Sequence, residues 1–197
     1  MRRIILGLAG VCWTTALFGQ GGTHFGLGLG GTFPVGDYHA DPVGDGFNAG
    51  WQGMAFLEFA PMRSVSPFAI RIEGQYGENT ANQTLKDDLT FANGFPVDAK
   101  MRLAGGNLDV RFHSRRGGRR RGAGYLIGGI GIMSATFRVE GAGQVNDSTE
   151  TNFTWNAGAG VSFPGRAAFF LEARYMHVGD VQGVGTNYFP VVVGVRF

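Results

Sequence analysis

From about residue 23 to its last residue the chain alternates apolar with small or polar positions at a period of two. That is the side-chain period of a β-strand. The final stretch shows it most plainly. Phe189, Val191, Val193, Val195 and Phe197 share one face, and Val192, Gly194 and Arg196 share the other. The first face is wholly apolar and carries an aromatic at each end. On a soluble sheet such an unpaired strand invites edge-to-edge association. A closed barrel in a bilayer has no edge, and its outer face must be apolar.

The same alternation predicts seven further strands. The first is about 23–35, with Phe25, Leu27, Leu29 and Phe33 outward. The second is about 47–60, with Phe47, Trp51, Ala55, Leu57 and Phe59 outward, and the third about 68–77, with Phe68, Ile70, Ile72 and Tyr76. The fourth, about 99–113, starts with Met101 and Leu103 outward and ends with Leu108, Val110 and Phe112 outward. Its parity changes at Gly105–Gly106, so a β-bulge is expected there. The fifth, about 125–138, is apolar on both faces: Tyr125, Ile127, Met133 and Phe137 are read as outward, and Leu126, Ile130 and Ile132 as inward. The sixth, about 151–163, turns Phe153, Trp155, Ala157, Val161 and Phe163 outward. The seventh, about 167–178, does so with Phe169, Leu171, Ala173 and Tyr175.

Threaded in alternating directions, the strands place two rows of aromatics. At the inner end lie Phe25, Phe59, Phe68, Phe112, Tyr125, Phe163, Phe169 and Phe197. At the outer end lie Phe33, Phe47 or Trp51, Tyr76, Phe137, Phe153 or Trp155, Tyr175 and Phe189. Aromatic rings settle at a bilayer interface, where the surroundings are half apolar and half wet. Connections are long on the outer side (Gly36–Gly46, Glu78–Asp98, Glu140–Glu150, Gly179–Thr186) and short on the inner side (Pro61–Pro67, Ser114–Ala123, Pro164–Arg166).

On these strands, girdles and loop lengths, the chain resembles the small eight-stranded bacterial outer-membrane β-barrels, the OmpA/OmpX-like group. The resemblance implies an all-β fold: a closed, antiparallel, eight-stranded up-and-down transmembrane β-barrel in the outer membrane of a Gram-negative bacterium. It also implies contact with outer-membrane lipids and lipopolysaccharide. The last strand, ending in Phe197, would then be the assembly signal read by the barrel assembly machinery. No catalytic motif comes with the resemblance.

Residues 1–20 read as a signal peptide, with Arg2 and Arg3 before an apolar run from Ile4 to Phe18. Residues 21–197 then form one barrel domain. Removing 1–20 removes Cys12, the single cysteine, and leaves no thiol for a disulfide or metal site. It also removes two of the 17 basic residues, so 15 remain against 15 acidic ones. A neutral mature chain gives no ground for a nucleic-acid partner. The 35 glycines and 17 phenylalanines suit tightly turning strands.

Charges on the inward face are Glu58, Arg71, Glu73, Lys100, Arg102, Asp109, Arg111, Glu172, Arg174 and Arg196. Eight strands leave an interior that side chains just fill. Buried charges need partners, so a paired network that plugs the lumen is expected. The function expected is structural or surface-interactive, without catalysis, cofactor or metal. Two alternatives stand beside it. A lipid A- or phospholipid-modifying enzyme would need a His, a Ser and a carboxylate together near the outer rim. His24 and His113–Ser114 lie at the inner end, His39 lies in a loop, and His177 faces outward without a Ser beside it. A secreted lipocalin-like binding protein would need apolar residues inside and polar ones outside. The run Arg115-Arg116-Gly117-Gly118-Arg119-Arg120-Arg121 falls in an inner turn. It is either solvated or faces inner-leaflet headgroups or an acidic periplasmic partner.

Overall fold

In the computed structural model eight antiparallel strands close in chain order into one barrel. The structure describes residues 22–39, 46–60, 67–113, 122–163, 165, 167–181 and 184–197. The signal-peptide reading of 1–20 and the arginine run 115–121 lie outside the described residues. The strands are β1 Thr23–Val35, β2 Gly50–Phe59, β3 Phe68–Thr80, β4 Val97–His113, β5 Ala123–Gly141, β6 Gln144–Phe163, β7 Ala168–Val181 and β8 Val184–Arg196. The barrel closes where β1 meets β8, from Gly26↔Arg196 to Val35↔Asn187. Phe197 extends this seam: its N–H donates to the Phe25 carbonyl at 2.8 Å, and Phe25 N–H returns the bond at 3.2 Å.

The outward faces of β1, β3, β6, β7 and β8 are those the alternation predicts. Leu29, Ile72, Phe153, Phe169 and Val193 are each more than half exposed. Strand β4 differs. It keeps one parity throughout, and its register with β3 runs unbroken from Phe68↔Phe112 to Thr80↔Lys100. There is no bulge at Gly105–Gly106. Met101 and Leu103 point inward instead, because the outer third of the lumen is apolar. There they join Tyr38, Phe47, Met133, Met176, Val178 and Tyr188 in a buried cluster.

Strand β5 has the opposite facing to that expected. Leu126, Ile130 and Ile132 are outward and exposed, while Tyr125, Ile127 and Met133 are buried. Both faces of β5 are apolar, so alternation alone could not choose between them. Tyr125 and Phe137 therefore leave the girdles, and β5 has no outward aromatic from the predicted set. Phe137 packs against the outer cluster and meets Phe47 edge-on at 6.1 Å. Phe47 lies before β2 and is buried in the same cluster, so Trp51 is the girdle residue of β2.

Two outer connections are more ordered than expected. The β3–β4 connection contains α1, Gln83–Asn93, capped by the Asn82 side chain, which accepts from Leu85 N–H at 2.9 Å. Gly94 ends the helix at φ 75°, in the left-handed region that glycine tolerates. Leu85 and Leu89 pack on the outer apolar cluster, which sets α1 at the outer mouth. Between β5 and β6 the turn is only Ala142-Gly143, at φ 49° and 76°. A two-residue turn with positive φ at both positions matches the twist of a hairpin. Residues 140–150, expected as loop, are therefore mostly strand.

That hairpin leaves β6 paired unequally. It pairs with β5 from Ala123↔Ser162 to Gly141↔Gln144, but with β7 only between Trp155↔His177 and Phe163↔Phe169. Among the described residues, Gln144–Thr154 has a paired strand on one side only. Two side chains reach across to β7: Thr154 Oγ1 donates to the His177 carbonyl at 2.7 Å, and Asn152 Nδ2 to that of Asp180 at 2.9 Å.

A hydrogen bond from Val97 N–H to Thr90 Oγ1 at 3.3 Å and an ion pair tie α1 to β4. Lys86 Nζ lies 2.6 Å from Asp98 Oδ1. Lys86 holds the Asp98 carboxyl below its ordinary range, by hydrogen bonding first and charge second. A depressed carboxyl stabilises above its unfolded pKa and loses that contribution as pH falls through the folded value. The tie is therefore expected to hold at neutral pH and to loosen below about pH 4, near the unfolded pKa of Asp. Hydrogen exchange of α1 amides checks this: faster exchange in acid for the native chain, and no acid-dependent change for Asp98→Asn.

Candidate functional site

The inward face of the middle and inner barrel holds eight charges. Glu58 comes from β2, Arg71 and Glu73 from β3, Asp109 and Arg111 from β4, Glu172 and Arg174 from β7, and Arg196 from β8. All but Arg196 are buried. Alternation places each of them, since every one sits two residues, or a multiple of two, from an inward neighbour on its strand.

Arg174 is the hub. Its Nη2 donates to Glu73 Oε2 at 2.6 Å, its Nη1 to Asp109 Oδ2 at 3.2 Å, and its Nε to Glu172 Oε1 at 2.7 Å. Arg71 Nη1 donates to Glu172 Oε2 at 3.0 Å, and Arg71 Nη2 reaches Glu58 Oε2 at 3.4 Å. Glu58 also meets Arg111 Nη1 at 3.0 Å and accepts from Arg196 Nη1 at 2.8 Å. Four arginines and four carboxylates thus interlock across five strands. The network is formally neutral, and each carboxylate contacts at least one guanidinium. Pairing of this density offsets the desolvation that would otherwise cost several kcal/mol per ion.

Two predicted members are not in it. Lys100 and Arg102 lie on the outward parity of β4, beyond its apolar stretch, where both contact Glu78: Lys100 Nζ to Oε1 at 3.3 Å and Arg102 Nε to Oε2 at 3.0 Å. The parity change expected at Gly105–Gly106 had carried them inside. With one parity along β4, they must face out.

Several contributors escape a search for charge. Tyr125 donates its hydroxyl to Glu172 Oε2 at 2.7 Å, and Asn156 Nδ2 donates to Asp109 Oδ1 at 2.7 Å. The Phe56 ring stacks under Arg71 at 3.9 Å, and the Tyr125 ring under Arg111 at 4.4 Å. Parity marks Phe56 as inward beside Glu58; Tyr125 needed the facing of β5. Met54, Phe56, Phe170 and Val192 form a small apolar cluster beside the charges. The lumen holds salt bridges in one part and, in the rest, apolar side chains together with buried neutral polar ones such as Gln52, Gln75, Asn79 and Asn107.

Three of the histidines bond to groups that belong to the barrel's own ladder or charge network. His24 Nδ1 pairs with the Phe197 carbonyl, His113 with Arg111, and His177 Nδ1 with Asn187 Oδ1. Among the described residues no group of three His, Cys, Asp or Glu is placed to hold a metal ion. No described helix is long and apolar enough to cross a membrane.

The outer membrane protein beta-barrel domain family matches residues 4–197. Solved barrels share the fold. Neisserial surface protein A aligns with a TM-score of 0.58 at 14% identity, covering 88% of this chain and 95% of its own. The attachment invasion locus protein Ail of Yersinia pestis gives 0.51 at 14%, covering 90% and 99%. A major outer membrane protein of Thermus thermophilus gives 0.55 at 12%, covering 89% and 99%. No curated protein matches the chain in sequence. A wall that is apolar between two aromatic rows, closed around its own charges, is what a bilayer demands of a β-protein, and the chain belongs to the outer membrane protein beta-barrel domain family, whose place is the bacterial outer membrane.

Proposed function

We propose that this protein is a non-enzymatic barrel that works at the cell surface, holding part of its own sheet above the membrane for contact with other molecules. The observation that carries this reading is the one-sided stretch of β6. Phe153 is the last outward aromatic of that strand, and Gln144–Asn152 continue beyond it. At strand rise and barrel tilt these nine residues reach roughly 20 Å past the interface. Their side chains are largely exposed, and the ladder of backbone groups on the β7 side stops at Trp155. Such an edge adds an extended segment of a partner through main-chain bonds. The filled lumen supports a structural scaffold over a pore, since guanidinium and carboxylate groups occupy the space an ion would need. Residues 1–20 serve as signal peptide in this reading, and the strand ending in Phe197 is read by the assembly machinery.

The test joins Thr136 to Thr149, which pair across the hairpin, by an Asn-Gly turn in place of residues 137–148, so that the stretch beyond the probe position is gone. A photo-crosslinking residue at Thr149 in intact cells is expected to give discrete adducts, and one at Leu108 on the lipid-facing wall only lipid. Shortening the hairpin is expected to abolish adducts at the edge while the heat-shifted band on a gel persists. Identical adducts with and without the hairpin would remove the surface reading. Large stable conductance in planar bilayers would overturn the plug, and a mass change in lipid A would restore the enzyme.

A further inference from the structure

Outward residues of β3, β4 and β5 change character at one level. Transmembrane strands need about 9–11 residues to cross. Counting ten residues outward from Phe68, Phe112 and Leu126 reaches Glu78, Arg102 and Thr136, and these three are paired neighbours across the sheet. The next row holds Thr80, Lys100 and Arg138, and the one after it Asp98 and Glu140. Cations therefore sit at the outer interface, and two of the acids lie further from it. Lys100 and Arg102 converge on a single carboxylate, that of Glu78, with side chains 35% and 31% exposed. That trio by itself carries one positive charge in excess, with Asp98 near Lys100 and Asp147 near Arg102 as the next acids. Beside it the hydroxyls of Thr136 and Thr149 lie 2.9 Å apart, exposed at the same level.

Directly beneath, the wall is recessed. The outward positions below Glu78 and Arg102 are Tyr76, Gly74, Ala104 and Gly106, with Gly53 and Ala55 on the neighbouring strand. Trp51, Tyr76, Gly53, Ala55 and Gly74 line an open hollow. Trp51 and Tyr76 lie 5.7 Å apart at its outer end. A Cβ at Gly74 would touch nothing within 4 Å, so the hollow is open to whatever lies against the wall. A cationic pair at headgroup height with an apolar recess beneath it matches the order of phosphate and acyl chain in a lipid.

We propose that Lys100 and Arg102 bind the phosphate of a phosphorylated glycolipid of the outer leaflet, with one of its acyl chains lying in the recess beneath Trp51 and Tyr76. The phosphate supplies the negative charge that Glu78 alone does not, and the hydroxyls of Thr136 and Thr149 are placed to bond the sugar. The proposal rests on the membrane placement and shares only Thr149, in its sugar contact, with the hairpin edge.

The probe is diphosphoryl lipid A, added to the full barrel in dodecyl-maltoside and followed by native mass spectrometry. The native chain is expected to retain one lipid A preferentially over its phosphate-free analogue. Since juxtamembrane cations contribute on the order of 1 kcal/mol each, Lys100→Gln with Arg102→Gln is expected to weaken retention about tenfold or more. Gly74→Leu, whose Cβ would meet nothing within 4 Å, is expected to weaken retention as well while keeping the preference for phosphate. A heat-shifted band reports folding for each variant. Equal retention of the phosphate-free analogue by the native chain would overturn the proposal, and that measurement needs no variant to fold. Unchanged retention in folded Lys100→Gln, Arg102→Gln would do the same. Unchanged retention in Gly74→Leu would remove the acyl recess.

Discussion

Replacing Arg174 by methionine is expected to lower the unfolding free energy of the barrel by about 3–5 kcal/mol, the range for stripping one partner from a buried ionic network. The guanidinium holds Glu73, Asp109 and Glu172 at once. Methionine fills much of the same volume, so the loss is electrostatic more than steric. Without Arg174, Asp109 keeps its bond from Asn156 and Glu73 keeps Arg71 Nη1 at 3.6 Å, which is a poor replacement. Glu172 fares better, with Arg71 and Tyr125 still in contact. Arg196→Met is the control. Arg196 is partly exposed at the inner mouth, and its partner Glu58 retains Arg71 and Arg111. Its loss is expected to cost no more than about 1 kcal/mol, as for a screened pair. Urea unfolding in phospholipid micelles, followed by tryptophan fluorescence, measures both. Equal costs would mean that the interior is wet enough to screen all its charges, and the plug would have to be abandoned. Adding Glu73→Gln to Arg174→Met is expected to recover part of the loss, because it removes one of the orphaned charges.

How much of this was legible in the sequence depended on contrast between the two faces of each strand. β1 was placed from Thr23 to Val35 because glycines and Thr32 alternate with Phe25, Leu27, Leu29 and Phe33. β3 was equally clear, since Arg71, Glu73 and Gln75 alternate with Ile70, Ile72 and Tyr76. The eight charges that meet inside were found this way. The failures came where the lumen itself is apolar. Met101 and Leu103 on β4 looked outward because apolar residues were assigned to the wall, and that one inference produced a bulge that does not exist and put Lys100 and Arg102 inside. On β5 the choice of face needed knowledge of what Tyr125 and Met133 touch on other strands, which period two does not contain. Helix α1 was hidden for a different reason. Its packing residues, Leu85 and Leu89, are two in a polar segment, and what they pack against comes together only once the barrel has closed.

Closure also sets the sharpest demand on a single backbone position, and Gly30→Val is expected to prevent it. Gly30 sits on β1 opposite Val192 of β8, at the seam joining the first strand to the last. A Cβ there would lie far inside contact distance of the Val191 carbonyl oxygen and 2.7 Å from Val192 Cα. Those are backbone atoms and cannot rotate aside, so relief requires the strands to part. Overpacking a core costs about 1–3 kcal/mol when side chains can shift; here the shift falls on the ladder that closes the sheet, and the cost should exceed that range. Gly26 shows the contrast on the same strand. Its added Cβ would strike the Phe56 ring, which is a side chain, although one held under Arg71 at 3.9 Å. Gly26→Ala is therefore expected to destabilise and to be rescued by Phe56→Leu, whereas no partner change rescues Gly30→Val. Refolding into lipid vesicles, scored by the fraction of protein in the heat-shifted band, separates the cases. A normal folded fraction for Gly30→Val would show that β1 and β8 approach less closely than the seam requires. Failure of Phe56→Leu to rescue Gly26→Ala would show that the position is constrained by the strand itself and not by the aromatic packed against it.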